Sequence, residues 1–215
     1  MTFALVFVGW MFSLCLHEFS HAMVAYWGGD LSVKDKGYLS LNPITYAHPV
    51  YSLALPVLFL LMGALGLPGG AVYIDHSRLR SKAWQSAVSL AGPLANAFLA
   101  VVIAFLLQLE TIAGGPYGPA IAFLGLLQVS SVVLNLLPIP PFDGFGAIEP
   151  FLPEDVALSG QRLGNHGVFL VMLVLWNIPA ANASFWNATY ALSRTIGIPL
   201  HQAYAGLHMF MFWAH

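Results

Sequence analysis

Charge is what this chain has least of. Only 7% of its 215 residues are Asp, Glu, Lys or Arg, against about a quarter in an average soluble domain. Lys and Arg total 7 against 9 acidic residues, a formal net charge of −2. A chain without a basic field has no electrostatic footprint for a nucleic acid, so that class of partner is excluded. Cysteine is nearly absent too: the single Cys15 excludes an intramolecular disulfide and leaves the redox compartment unread. Internal repeats and low-complexity stretches are missing. The N-terminal stretch MTFALVFVGWMF lacks the positive region of a cleavable leader, and is expected to be retained.

What is there is apolar surface: 59% hydrophobic residues and a mean hydropathy of +0.77. This combination predicts an all-α polytopic membrane protein forming a single membrane-embedded domain over 1–215, with C-terminal membrane segments over about 160–215. Apolar runs fall at residues 3–27, 50–67, 84–109, 118–137, 166–180 and 197–213. A span needs roughly 20 apolar residues, so about four to six transmembrane segments are expected. The run 50–67 is interrupted by Pro56, and 166–180 stops at Pro179. A short strand or hairpin is expected around GYLSLN, residues 37–42.

The few cations orient the chain. Lys34 and Lys36 lie in the first connector, Arg78, Arg80 and Lys82 in the second and Arg162 in the fourth, while the 113–118 connector has none. The excess of Lys and Arg on the cytoplasmic side of membrane proteins then puts the first, second and fourth connectors in the cytoplasm. Residues 50–67 must in that case begin and end on one side, as a re-entrant or membrane-lying segment.

Against this apolar background the stretch LCLHEFSHAMV, residues 14–24, stands out. His17 and His21 are one helical turn apart, separated by about 40° around the axis, so both rings can face one ion. Glu18 sits beside them as a base that need not be a ligand. This is the H-E-x-x-H arrangement of two zinc ligands and a general base on one helix face. The alternative is a metal-free pair of interface histidines, but an ionisable group at the centre of a membrane helix carries an insertion penalty of about 2.5–3.5 kcal/mol on insertion scales.

A catalytic zinc site needs a third protein ligand and an open position. His48, His76, Asp75, Glu110, Asp143, Glu149 and His166 are candidates. Asp143 is distinguished by its setting, NLLPIPPFDG at 135–144, where three prolines unwind the end of an apolar helix and Gly144 permits a close turn. If 118–137 and the first helix both run inward, their inner ends meet, and His21 and Asp143 with them.

HEFSH on a first membrane helix, followed downstream by NLLPIPPFDG, resembles the site-2 protease family of intramembrane zinc metalloproteases. LSLNP at 39–43 and AGPLAN at 91–96 extend the resemblance, in the family's order, over roughly residues 1–155. It implies a three-helix catalytic core in which His17, His21 and Asp143 bind one Zn²⁺ and Glu18 activates water. Asn135 would hold the substrate backbone or the developing oxyanion, with Asn96 in a related polar role or in a helix-packing hydrogen bond. It further implies a multi-pass protein of a prokaryotic cell membrane, a site near the cytoplasmic side and a single-span membrane protein as substrate. No PDZ-like or nucleotide-sensing unit is expected, so regulation would come from a membrane partner; the oligomeric state is not read. The chain departs from the family in DGFGAIEP after the carboxylate and in His48 of YAHP, which bear on substrate choice and gating.

Cleaving a transmembrane helix requires unwinding it first, since its carbonyls are held in hydrogen bonds, and the 28–49 connector is expected to pair with the unwound strand. Two rival functions remain: a proteolytically inactive relative that binds and sequesters membrane proteins, and a metal transporter. An intact Glu18 speaks against the first, and ligand groups confined to two segments against the second. His201 and His208, seven apart, would share a face as a contact or a weak second metal site. Trp10, Trp27, Trp84, Trp186 and Trp213 are expected in aromatic belts at the membrane surface.

Overall fold

The computed structural model describes residues 1–42 and 72–214. Among them every regular element is helical: α1 (Thr2–Gly28), α2 (Ser32–Asp35), α3 (Lys82–Leu106), α4 (Glu110–Ala113), α5 (Gly118–Asn135), α6 (Asp143–Ile148), α7 (Glu154–Asn177), α8 (Pro179–Ile196) and α9 (Leu200–Phe210), with three short 3₁₀ turns. This is the all-α membrane architecture that the composition implies. Three helices, α1, α3 and α5, are long and apolar enough to cross a membrane. A fourth span exists if His166–Asn177 and Pro179–Ile196, bent by 99° at their junction, are taken together.

Each long helix has an identifiable start and stop. α1 has no proline over 27 residues, about 40 Å at 1.5 Å per residue. It ends where Gly29 turns to φ 120°, a backbone that side chains disfavour. A side chain at Gly29 would also press on the Arg78 carbonyl. α3 begins at Ser81, whose Oγ accepts the Trp84 N–H at 3.3 Å, the usual way to satisfy a free N-terminal amide. α5 runs for 18 residues to Asn135 and is stopped by Pro138, Pro140 and Pro141, which cannot continue a helix.

The three helices form one bundle. Val6 and Trp10 of α1 pack with Ala120, Phe123 and Leu127 of α5. Further along, Ser13 meets Gln128, so α1 and α5 run parallel. α3 runs against both: its Val88 carbonyl reaches His21, and its Ile103 and Leu107 pack with Ala122 and Leu126. α9 covers α5, with Gly206 close against the Pro119 carbonyl and Phe210 fully buried.

Several expectations need correcting. The last apolar run, 197–213, is interrupted at Pro199 and yields the 11-residue α9, about 16 Å, too short to span alone. The 166–180 run ends at Ile178, held extended before Pro179, as the residue before proline is biased to be. Gly37–Asn42 forms turn and bend rather than a strand. Trp10, expected at the membrane surface, is 1% exposed, because α9 folds back and seals it among Phe123 and Phe210. Trp27 and Trp213 do remain exposed. His48 and the 50–67 run lie outside the described residues.

The connectors at the end of α1 are clasped by Asp30. Its carboxylate, fully buried, accepts the Ser32 N–H at 3.1 Å, the Ser32 O–H at 2.6 Å and the Asp75 N–H at 2.8 Å. Lys36 Nζ donates to the Tyr73 carbonyl at 2.8 Å, and Tyr38, Leu39, Val72 and Ile74 join one apolar cluster with Ala25 and Val33. The chain is therefore at the same end of the bundle before residue 43 and after residue 71. Burial pushes the Asp30 carboxyl upward, but the hydrogen bonds from Ser32 and Asp75, with Lys36 nearby, outweigh it and hold the group below the ordinary value.

Replacing Asp30 by Ala leaves buried donors without an acceptor, at about 1–3 kcal/mol for each, and should lower the thermal midpoint in detergent. Because the folded carboxyl titrates below its unfolded value, its contribution is complete above about pH 4 and fades as the pH falls through the folded value. The difference in midpoint between native protein and Asp30→Asn should therefore close on acidification; a difference that widens would contradict the clasp.

Candidate metal centre

Helix geometry places the first two groups. His17 and His21, 3% and 7% exposed, point from α1 into α3, their ring centroids 4.7 Å apart. Each ring is held at Nδ1 by a partner on α3. His17 Nδ1 lies 2.8 Å from Asn96 Oδ1, and His21 Nδ1 lies 2.7 Å from the Val88 carbonyl. A carbonyl oxygen only accepts, so Nδ1 of both rings is the protonated nitrogen and Nε2 carries the lone pair.

The third group arrives from a different part of the chain. After Asn135 the Pro-rich stretch 136–142 unwinds, and Asp143 opens the short α6. Phe142 and Phe145 on either side are buried; Phe142 inserts among Leu134, Met172 and Phe185. Ser86 of α3 donates to the Ala147 carbonyl at 2.6 Å, tying α6 to the same helix that holds the histidines. Gly144 allows the tight return, since a Cβ there would collide with the Leu136 carbonyl.

The result is a convergence of lone pairs. His17 Nε2 is 3.0 Å from His21 Nε2, and the Asp143 carboxylate stands 3.2 Å from the first and 3.4 Å from the second. Asp143 Oδ2 is shut off from solvent without a hydrogen-bond partner. Neutral imidazoles presenting lone pairs to a carboxylate repel one another unless a metal ion or a shared proton lies between them. His17, His21 and Asp143 form, among the described residues, the group of three whose ligand atoms, all within 4.8 Å of each other, could hold a metal ion. The N₂O donor set suits zinc, which takes His nitrogen and carboxylate oxygen with an open position when catalytic.

Gly92 supplies the room. A Cβ built there would run into Nε2 of both histidines, the space an ion would need. The neighbouring Pro93 lies inside α3 and removes one helix hydrogen bond at the same level.

Glu18 is 4% exposed, and its Oε2 accepts the Val72 N–H at 3.2 Å. Asn135, in the last turn of α5, is buried, with Nδ2 3.3 Å from Ser131 Oγ. Asn96, expected to serve substrate unless it is a packing group, is engaged at both ends of its amide: Oδ1 by His17 and Nδ2 by Gln128 Oε1 at 3.1 Å.

The other third-ligand candidates are elsewhere. Asp75 bonds Ser77 and Arg78, Glu149 takes Gln161 Nε2, and His76, Glu110 and His166 are exposed at other positions. His201 and His208 are exposed on α9 and join no metal-binding group of three among the described residues. Sequence reasoning missed Val88, Gly92, Gln128 and Ser13. Gln128 and Ser13 had a readable signal, a polar side chain midway along an apolar span; the Val88 carbonyl had none.

No family model matches the chain. No solved structure matches it either. Several bacterial proteins do. One of Mycolicibacterium smegmatis, named "Putative zinc metalloprotease Rip2", is 44% identical over 213 residues, 99% of this chain and 82% of the relative. A protein of the same name from Mycobacterium tuberculosis is 42% identical over 215 residues, with the same coverage of both chains. "Putative zinc metalloprotease YwhC" of Bacillus subtilis is 34% identical over 185 residues, 81% of this chain and 80% of the relative. With that identity over nearly its whole length, and with a His–His–Asp cluster between apolar helices, the chain belongs to the site-2 protease-like family of zinc metalloproteases.

Proposed function

We propose that this zinc metalloendopeptidase cuts a peptide bond in or near the transmembrane segment of a single-span membrane protein, with His17, His21 and Asp143 holding the zinc and Glu18 as general base. The observation that carries the reading is the meeting of three lone-pair donors inside a bundle of helices long enough to span a membrane. Zinc held there would polarise the scissile carbonyl and make a water molecule acidic near neutral pH.

The chain's own residues do the remaining work. The Nδ1 hydrogen bonds to Asn96 and Val88 keep both Nε2 lone pairs aimed inward. Glu18 is oriented through Oε2 by the Val72 N–H, which leaves Oε1 to take the proton from water and return it to the departing amine. Such a positioned acid–base group is worth about 10²–10⁴-fold. Asn135, one turn beyond Ser131 and adjacent to the unwound segment, is proposed to hold the substrate backbone. Both histidines and Glu18 are buried and Asp143 is only partly exposed, so a helical substrate must present an unwound stretch to reach them.

The site lies about 10–16 Å from the end of α1 at 1.5 Å per residue. Lys34, Lys36, Arg78, Arg80 and Lys82 gather at that end, which by the charge rule is cytoplasmic. The flanks of residues 43–71 share this end, which supports the expected same-sided path. An inactive binder would need neither a base beside the ligands nor a cleared Gly92.

Glu18→Gln should retain about one zinc per chain in detergent yet lose at least about 10²-fold of cleavage of a transmembrane substrate; undiminished cleavage would remove Glu18 from the mechanism. Gly92→Ala should keep or raise helix content, since Ala is the better helix former, while zinc measured by atomic absorption drops to background; full retention of metal would show that the cleared space is elsewhere. In intact cells whose Cys15 has been changed to Ser, an impermeant maleimide should label a cysteine at Glu110 and spare one at Lys34. The opposite pattern would invert the orientation.

A further inference from the structure

The polar contact behind His17 does not stop at Asn96. Asn96 Nδ2 donates to Gln128 Oε1 at 3.1 Å, Gln128 Nε2 donates to Ser13 Oγ at 2.7 Å, and Ser13 O–H donates to the Gly9 carbonyl at 2.7 Å. The chain leaves α1 at Gly9 and Ser13, crosses to α5 at Gln128, passes to α3 at Asn96 and returns to α1 at His17. Every side chain in it is 3% exposed or less. No residue of it beyond His17 can touch the metal.

Such a chain has a direction. Each amide has one accepting and one donating end, so turning one over turns the next. Read from Gly9, a carbonyl that only accepts, Ser13 donates backwards and presents its oxygen to Gln128. Gln128 must then offer Oε1 to Asn96, Asn96 must offer Oδ1 to His17, and His17 must carry its proton on Nδ1. In the reverse sense Ser13 donates to Gln128, both amides turn over, and Asn96 donates to His17 Nδ1. The ring proton would then sit on Nε2 and block the lone pair. Between Gly9 and His17 the forward sense makes one more hydrogen bond than the reverse, the one from Ser13 to Gly9; the reverse would place the Nε2 proton against Asp143 Oδ2, the position a metal ion takes in the forward sense.

We propose that Gln128 and Ser13 are positioning residues that set which ring nitrogen of His17 is free to face the metal, Ser13 by fixing the sense of the chain and Gln128 by transmitting it through Asn96. The inference rests on the zinc reading above for its functional meaning. The hydrogen bonds themselves do not depend on it. Outer partners of a metal-bound histidine commonly change metal affinity by about 10–100-fold when altered, and these residues stand one and two contacts further out, so the low end applies.

Three variants of the full chain in detergent test this. Gln128→Met keeps the volume and removes both polar ends. Gln128→Glu keeps an acceptor facing Asn96, which then still offers Oδ1 to His17. Ser13→Ala keeps the helix, Ala being the better helix former, and removes the bias. In protein stripped of zinc and labelled with ¹⁵N-histidine, native protein and Gln128→Glu should show His17 mainly with its proton on Nδ1, against the pull of the Asp143 carboxylate on Nε2. Gln128→Met and Ser13→Ala should show both tautomers. In competition with a chelator for zinc alone, Gln128→Met and Ser13→Ala should bind about 10-fold more weakly, with Gln128→Glu tighter than Gln128→Met. A role in packing alone reverses that order, because Met fills the space without a buried charge; that order, or a His17 tautomer in Ser13→Ala unchanged from native protein, would overturn the proposal. Absence of zinc binding by native protein would sink the metalloprotease site instead, and the ¹⁵N measurement would still decide the direction of the chain.

Discussion

Two imidazoles and a carboxylate turned toward one point are an arrangement that a metal ion or a shared proton stabilises, and the bundle is organised around making it. The rings cannot swing away, because α3 holds Nδ1 of each. The carboxylate cannot withdraw, because Phe142 is locked in an apolar cluster and Ser86 grips the following turn. α3 approaches closely enough to do all this because it carries Gly92 at the point of contact. Remove that close approach and neither ring has its outer partner.

The direction of each helix follows from the same requirement. α1 and α5 run parallel so that the ends of their apolar stretches deliver His21 and Asp143 to one level. α3 runs opposite and contributes no ligand, yet it contacts all three groups or their immediate neighbours. The spanning helices thus divide the site: α1 carries the histidines and Glu18, the unwound exit from α5 carries the carboxylate, and α3 aligns them. Polar side chains in such a bundle find partners on neighbouring helices, and here nearly all of those partners lead back to the histidines.

What could be read from the sequence was what is local in it. His17, Glu18 and His21 share one helix face by spacing alone, and the long apolar runs announce α1, α3 and α5. Asp143 could be singled out from seven candidates only by its proline-rich setting, because proximity across more than a hundred residues leaves no periodic trace. The joining of Ser13 to Gln128 left none at all. Hydropathy also misjudged the C-terminal third. It counts apolar residues but not the extended residue before a proline, so it did not show that α7 and α8 meet at 99° or that α9 is short. Trp10 was misplaced for a related reason: only the fold reveals that α9 returns to cover it.

The pairing of His17 and His21 with two separate points on α3, Asn96 and Val88, makes that helix a ruler laid along α1. A slip of one residue, about 1.5 Å along the axis, would detach both rings together, and Gln128 adds α5 to the same register. The three helices therefore have to travel as a rigid block. A motion that leaves these hydrogen bonds intact has to take place outside that block, and the register of the three helices can persist through it.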